Sequence, residues 1–306
     1  MGDLIVMCGL PGSGKSYVAK ECLKETQRVI GNECVIVSTD EIRKEINGDE
    51  SNQNNSSLVF DIAFNKIKIY LQGNKYRVVI FDATNINYKR RTDIVNRFRK
   101  YTDNIECFFV YADYEECIKR NRERDRKVPE EVIKKMYFNF YVPQLFEGFN
   151  SIRIIDNYNN RHTLKELRKT LDMDQENPNH NLSLLEHSKK AHYYLIDKIF
   201  TDNLDLCFAG YLHDIGKIKT KTFINTKGEK TDIAHYYSHE KVGAYDSLAY
   251  TGDNAESRLY IAKLIQWHML LHQNLSEKTI LKYKNKLGEQ FWEDLKLLHQ
   301  ADLYAH

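Results

Sequence analysis

Apolar and polar positions change period part-way along the chain, and the change divides it in two. Five short runs rich in β-branched residues, Leu4 to Cys8, Cys34 to Ser38, Arg77 to Phe81, Cys107 to Tyr111 and Ile152 to Ile155, alternate with segments whose apolar residues recur at helical spacing. That rhythm predicts an α/β fold: a parallel five-stranded sheet with helices on both faces and ligands at the carboxyl ends of the strands. After Asp156 the strand pattern stops. Asn157 to Arg161 reads as a polar break and His162 to Met173 as one connecting helix. From Leu182 every periodic segment is helical, over 183 to 199, 204 to 213, 239 to 249, 257 to 271 and 289 to 304. Segment 51 to 57, SNQNNSS, reads as a surface loop. The expected organisation is an α/β domain with its connecting helix over 1–175 and an all-α domain over 176–306, meeting just before Asn177-Pro178.

Composition narrows this picture only a little. A chain of 306 residues is long enough for two cores of ordinary size. Lys and Arg total 45 against 43 Asp and Glu, so any nucleic-acid site must be a local basic stripe on a nearly neutral protein. The six cysteines, at 8, 22, 34, 107, 117 and 207, form no C-x-x-C pair, which predicts a reduced protein without a disulfide framework. No apolar run reaches membrane-spanning length and the N-terminus runs straight into the first strand, so a cytoplasmic protein with no membrane partner is expected.

The first strand is followed at once by Gly9-Leu10-Pro11-Gly12-Ser13-Gly14-Lys15-Ser16, which reads G-x-x-x-x-G-K-S. Glycines let successive backbone N–H groups turn onto phosphates, the next helix adds its positive end, Lys15 reaches the outer phosphates, and the Ser16 hydroxyl can ligate Mg²⁺. A nucleoside triphosphate, ATP or another, is the ligand this loop predicts. The loop alone leaves the reaction open. Asp40, after the second strand in Ser38-Thr39-Asp40-Glu41-Ile42-Arg43, can accept a proton from an attacking hydroxyl; alternatively Asp40, Ser38 or Thr39 is a helix N-cap. Asp82, ending the third strand, stands where an acidic residue near Mg²⁺ is expected, or is a strand-end turn residue. Residues 119 to 127, Lys-Arg-Asn-Arg-Glu-Arg-Asp-Arg-Lys, read as a lid whose guanidinium groups neutralise a transferred phosphoryl group, or as a solvated helix face.

Taken together, Gly9 to Ser16, Asp40 with Arg43, Asp82-Ala83-Thr84-Asn85-Ile86-Asn87 with Arg90-Arg91, Lys119-Arg120-Asn121 with Arg124, Val128-Pro129 and Met136-Tyr137 resemble the phage-type 5′-hydroxyl polynucleotide kinases. The resemblance implies that Lys15 and Ser16 serve the phosphates and Mg²⁺ and that Asp40 is the general base on a 5′-hydroxyl. It further implies that Arg43 holds the neighbouring substrate phosphate, and that Arg124, supported by Arg120, clamps the transition state. Arg122 and Arg126 crowd the same lid and compete for the last role.

In the second half, His213-Asp214 can offer two different donors to one metal if His187 and Asp302 converge on it. When bound, such a metal supplies a water nucleophile near neutral pH and polarises a phosphoryl oxygen. His239 and His268, if they converge, can hold a second metal or contact the phosphate, and Lys217 can stabilise developing negative charge. Any one of these histidines alone reads as an ordinary residue; the ordered set does not. His180, His192, His235, His272, His299 and His306 are assigned no role. Mn, Fe, Co, Ni and Zn all suit these ligands.

The stretches Asn177-Pro178-Asn179-His180-Asn181, Leu185-Glu186-His187-Ser188, Leu212 to Lys217, Ser238-His239-Glu240 with Gly243-Ala244, Trp267-His268 and Ala301-Asp302 resemble the HD phosphohydrolase superfamily, particularly modules related to bacterial tRNA nucleotidyltransferases. That resemblance implies 2′,3′-cyclic phosphodiesterase and phosphomonoesterase activity. Asp302 lies so near the end of the sequence that its place depends on how the last helix is held. The two halves together resemble the HD-type polynucleotide kinase-phosphatases. These imply healing of RNA, tRNA or DNA ends with a separate RNA ligase as functional partner. A small-molecule kinase joined to an HD nucleotidase, or a non-enzymatic nucleotide sensor, is the alternative.

Overall fold

The computed structural model describes every residue except Met1, Asn32, 49–55, Asn74, 158–161 and 179–180. Most of the expected 51–57 loop, the polar break beyond Asn157 and the pair Asn179-His180 lie outside the described residues. Contacts gather the chain into two compact units, one of Met1–Tyr137 and Pro143–Asn159, the other of Phe138–Val142 and Asn160–His306.

The first unit runs β1 (Asp3–Cys8), α1 (Lys15–Ile30), β2 (Cys34–Ser38), α2 (Thr39–Asn47), α3 (Ser56–Gln72), β3 (Val78–Asp82), α4 (Tyr88–Phe98), β4 (Ile105–Tyr111), α5 (Tyr114–Glu123), α6 (Glu130–Phe138) and β5 (Ser151–Asp156). Its five strands form a wholly parallel sheet in the order β2-β3-β1-β4-β5. Successive strand residues face opposite sides. Ile5, Met7, Ile80, Phe108 and Val110 pack with Ala19 of α1, whereas Phe81, next to Ile80, meets the edges of Phe60 and Phe64 of α3. Helices therefore cover both faces, as the alternation of β-branched runs predicts. Ser38 pairs in register with Asp82, so β2 and β3 deliver both acidic candidates, Asp40 and Asp82, to the edge at which β1 releases the glycine-rich loop.

Arg91, one of the basic pair that belongs to the motif set, is part of the core. It is fully buried, its guanidinium meets Glu147 at 2.6 and 2.7 Å, and it donates to the Asn85 carbonyl at 2.8 Å. Arg90 lies over the Phe60 ring, 4.3 Å from its centroid. Changing Arg91 to Met is expected to cost about 3–5 kcal/mol, because it strands the Glu147 carboxylate in the interior. A denaturant melt checks this, and Arg91→Met with Glu147→Met should recover much of the loss.

The second unit contains α7 (Leu164–Leu171), α8 (Leu184–Asp197), α9 (Leu204–Leu212), α10 (Lys217–Thr220), β6 (Thr222–Ile224), β7 (Lys230–His235), α11 (His239–Ser247), α12 (Ala255–Trp267), α13 (Glu277–Leu287) and α14 (Glu289–Ala305). Buried Leu167 and Leu171 bring α7 against α8, so the compact units divide near residue 160, ahead of the boundary expected near 175. The segment Phe138–Val142 joins this unit too: Phe140 packs on Tyr245 at 4.8 Å, and the Val142 N–H donates to Gln266 Oε1 at 2.8 Å. The antiparallel hairpin β6–β7 departs from the all-helical expectation for this half. Its residues are largely exposed, so there is little apolar alternation to announce it. No helix among the described residues is long and apolar enough to cross a membrane. None of the six cysteines forms a disulfide, and five of them are buried.

Candidate active sites

The phosphate loop leaves β1 at Cys8 and enters α1 at Lys15. Gly12 has a φ of 86°, and a Cβ there would stand 2.3 Å from the Cys117 carbonyl oxygen, so only glycine lets the loop turn beneath α5. Gly14 caps α1 without a side chain and the first turn carries no acidic residue, which leaves the positive end of the helix for an anion. Lys15 is buried, with Nζ donating to the Leu10 carbonyl at 2.8 Å. Burial pushes its amine below the ordinary value, opposed mainly by Asp82. The Ser16 hydroxyl donates to Asp82 Oδ2 at 2.7 Å, and this pair has the oxygen donors that Mg²⁺ takes. Burial pushes the Asp82 carboxyl up, opposed by Lys15 and by the Ser16 hydrogen bond.

Ser38 caps α2, its side chain accepting from the N–H groups of Asp40 and Glu41. The cap is therefore Ser38, and the Asp40 carboxylate is turned to arginines: Arg43 holds one oxygen at 2.5 Å and Arg126 the other. Arg124, which the resemblance assigns to the transition state, donates to Asn121 Oδ1 at 2.8 Å, while Asn121 is tied to the backbone of Val128. Arg120 lies beside the phosphate loop, donating to the Asn157 carbonyl at 2.6 Å, while the Asn157 amide donates to the Ser13 carbonyl at 2.9 Å. Arg122 pairs with Glu130 near the surface. Asn85 holds the end of β1 through Nδ2 to the Met7 carbonyl at 2.8 Å.

The second unit gathers all six expected ligands. His187, His213 and Asp302 form one buried group and Asp214, His239 and His268 another. His187 Nε2 lies 3.0 Å from His213 Nε2 and 3.1 Å from Asp302 Oδ1. Asp214 joins the groups, with Oδ2 3.4 Å from His187 and 3.5 Å from His213, and Oδ1 3.3 Å from His239 and 3.7 Å from His268. The backbone dictates the tautomers. Nδ1 of His213, His239 and His268 donates to the carbonyls of Gly210, Tyr236 and Ile265 at 2.9, 2.8 and 2.6 Å. Nε2 of each ring is thereby left facing the cluster, and those of His239 and His268 stand 3.2 Å apart. Converging acceptors with their outer nitrogens fixed are what divalent transition metals require, so the residues of both groups fit such ions. Burial pushes His187 down, but Asp214 and Asp302 hold it up at about 9. Burial, with His239 and His213 beside it, takes His268 down to about 3.

Close helix contact makes this convergence possible. A Cβ on Gly216 would lie 2.1 Å from the His239 carbonyl oxygen, so glycine lets the turn carrying Asp214 press on the start of α11. Gly216→Ala should separate these elements and lower metal content and melting temperature together, as metal analysis and a thermal melt would report. Lys217 is buried, 2.8 Å from Asp214 Oδ2 and 2.9 Å from Gln175 Oε1.

Comparison with known proteins follows the same division. The AAA domain family matches residues 4–143 and the HD domain family residues 184–305. The L-seryl-tRNA(Sec) kinase of Methanococcus maripaludis is 30% identical over 221 residues, spanning 71% of this chain and 83% of that protein. The chain belongs to the family of that kinase. It joins an AAA-type ATP-binding kinase domain to a metal-binding HD phosphohydrolase domain. Among solved structures, a chain of the Pnkp1/Rnl/Hen1 RNA repair complex is 22% identical with a TM-score of 0.39, over 45% of this chain and 43% of that one. A gluconokinase from Sinorhizobium meliloti 1021 is 16% identical with a TM-score of 0.37, over 52% of this chain and 84% of that one.

Three histidines assigned no role surround the last ligand. His272 Nε2 lies 2.8 Å from Asp302 Oδ2 and 3.3 Å from His299 Nδ1, and His306 Nε2 lies 3.5 Å from Asp302 Oδ1. Spacing carries the signal, since His299 and Asp302 on α14 and His306 just beyond its end are three and four residues apart.

Proposed function

We propose that the protein heals RNA ends, phosphorylating a 5′-hydroxyl in its first unit and hydrolysing 2′,3′-cyclic phosphate and 2′- or 3′-phosphate in its second. The supporting observation is that one chain carries a phosphate loop beside an arginine-held carboxylate and, separately, an imidazole–carboxylate cluster fit for two metals. One centre is equipped to add a phosphoryl group and the other to remove one. A strand ending in 5′-hydroxyl and 2′,3′-cyclic phosphate needs both before a separate ligase can seal it.

In the kinase reaction, Gly9, Pro11, Gly12, Ser13, Gly14 and Lys15 cradle the triphosphate of ATP, and Ser16 with Asp82 holds Mg²⁺. Asp40 takes the proton of the attacking hydroxyl as its oxygen bonds to the γ-phosphorus and ADP leaves. Arg43 holds the neighbouring strand phosphate. Arg126, released from Asp40 as the hydroxyl arrives, joins Arg120 and Arg124 in the lid as a candidate for the transferred phosphoryl group. In the second unit, His187, His213, Asp214 and Asp302 would hold one divalent ion, drawn from Mn, Fe, Co, Ni or Zn, and Asp214, His239 and His268 would hold another. Lys217 offsets charge developing beside Asp214. RNA is the preferred strand of the reading, and a 5′-hydroxyl pocket also admits DNA.

The kinase relative supports a second reading of the acceptor, the seryl group of a seryl-tRNA. That reading gives a phosphohydrolase domain nothing to do on the same molecule. Transfer from γ-labelled ATP to a 5′-hydroxyl RNA and to seryl-tRNA, measured side by side, separates the two. Label on the RNA alone supports end healing, and label on the seryl-tRNA alone replaces it.

A further inference from the structure

The two carboxylate oxygens of Asp302 have different neighbours. Oδ1 lies 3.1 Å from His187 Nε2 and 3.4 Å from His213 Nε2, within the first group of ligands, and His306 Nε2 is 3.5 Å from it. Oδ2 meets His272 Nε2 at 2.8 Å. An ionised carboxylate offers only acceptors, so His272 donates here and its Nε2 carries the proton. A ring nitrogen that carries a proton has no lone pair left for a metal. His272 is therefore bonded to a metal ligand without being one.

Its neighbours hold the ring in that orientation. His272 comes just after the single 3-10 turn His268–Leu270, four residues beyond the ligand His268, and Leu270 anchors this turn in the interior. His299 lies one turn before Asp302 on α14, and its ring packs edge-on against His272, with centroids 4.4 Å apart and planes at 88°. His299 Nδ1 is 3.3 Å from His272 Nε2, the longer of the two contacts, so the stronger hydrogen bond goes to the charged oxygen. Asp302 and the histidine that aligns its partner thus stand on one helix.

This arrangement answers a need of the ligand set. The last torsion of an aspartate is broad and nearly two-fold, so the side chain by itself does not choose which oxygen faces the ion. The Asp302 side chain is 7% exposed, which leaves water little room to replace a lost donor at Oδ2. With His272 on Oδ2, the carboxylate is ordered before the metal arrives. We propose that His272 is a positioning residue of the metal centre, holding Asp302 by Oδ2 so that Oδ1 stays with His187 and His213. The inference rests on the reading of His187, His213 and Asp302 as metal ligands.

The test titrates the full-length, metal-free protein with Co²⁺ in competition with a chelating dye, for wild type, His272→Ala and His272→Gln. His272→Ala should weaken the binding of one Co²⁺ on the order of 10–100-fold, as loss of a group that orients a metal ligand does, with the number of ions at saturation unchanged. His272→Gln should recover most of that loss, because its amide can still donate to Oδ2. The His272 side chain is 24% exposed, so both variants should keep their fold, and a melt of the metal-free proteins checks this. A merely structural histidine would lower that melting temperature and leave the affinity of the folded protein as it was. Unchanged affinity in His272→Ala, or a glutamine variant as weak as the alanine one, overturns the inference while leaving the metal reading intact. Loss of an ion at saturation in His272→Ala makes His272 a ligand and overturns it too. Wild-type protein that takes up no Co²⁺, and no other divalent transition metal in parallel titrations, removes the metal reading and the inference together.

Discussion

Lys15→Ala should lower ATP-dependent phosphorylation of a 5′-hydroxyl RNA on the order of 10³-fold while leaving hydrolysis at the other end unchanged. The size follows from where the ammonium group sits. Lys15 lies buried at the start of α1 with Nζ on the Leu10 carbonyl, where burial makes its charge expensive to hold and Asp82 repays part of the cost. A triphosphate entering the loop meets that charge in a site of low dielectric, where each interaction is stronger than in water. Alanine removes the charge and leaves the loop itself, whose turn depends on Gly12, in place. Quench-flow with γ-labelled ATP checks the prediction, and a drop of less than tenfold would deny Lys15 its role. The unchanged second activity matters equally, because it separates a lost phosphate ligand from a misfolded protein.

Asp214→Ala should empty both metal sites, whereas His239→Ala should empty one. Asp214 is the residue whose two carboxylate oxygens face different groups, Oδ2 toward His187 and His213 and Oδ1 toward His239 and His268. Removing it takes a negative charge and a bridging ligand from the whole cluster. The expected loss of hydrolysis exceeds the 10–100-fold typical of changes to groups that only orient a metal ligand. Lys217 loses its partner as well but keeps Gln175, so the helices should stay folded, as circular dichroism can verify. Metal analysis after dialysis gives the decisive count: equal metal content in the two variants would mean that Asp214 does not bridge.

Much of this was legible in the sequence because the features are local. β-branched runs bounded by helical segments announced the sheet, with β2 recovered at both ends, since strands covered on both faces leave continuous apolar runs in the sequence. The glycine-rich loop was legible for the same reason, and so was the ordered set of histidines and aspartates. What was illegible depends on partners distant along the chain. Arg91 looks like a surface cation until Glu147, from beyond β4 and α6, closes on it in the core. Among the arginines of 119–127, spacing alone cannot tell that Asn121 takes Arg124 and that Arg126 reaches Asp40. The β6–β7 hairpin is mostly exposed and short, so it lacks the alternation that marks a strand. Doubt about the hold on Asp302 is answered by α14, whose buried Phe291, Trp292, Leu295, Leu298 and Ala301 pack this last helix into the unit.

The most direct measurement follows both ends of one short RNA bearing a 5′-hydroxyl and a 2′,3′-cyclic phosphate, incubated with ATP, Mg²⁺ and a panel of divalent transition metals. Wild type, Lys15→Ala and Asp214→Ala are run together and the termini are read by mass spectrometry. The account predicts that wild type converts both ends, that Lys15→Ala converts only the 3′ end, and that Asp214→Ala converts only the 5′ end. An RNA left unchanged at both ends by wild type with every metal, while ATP still binds, would contradict it.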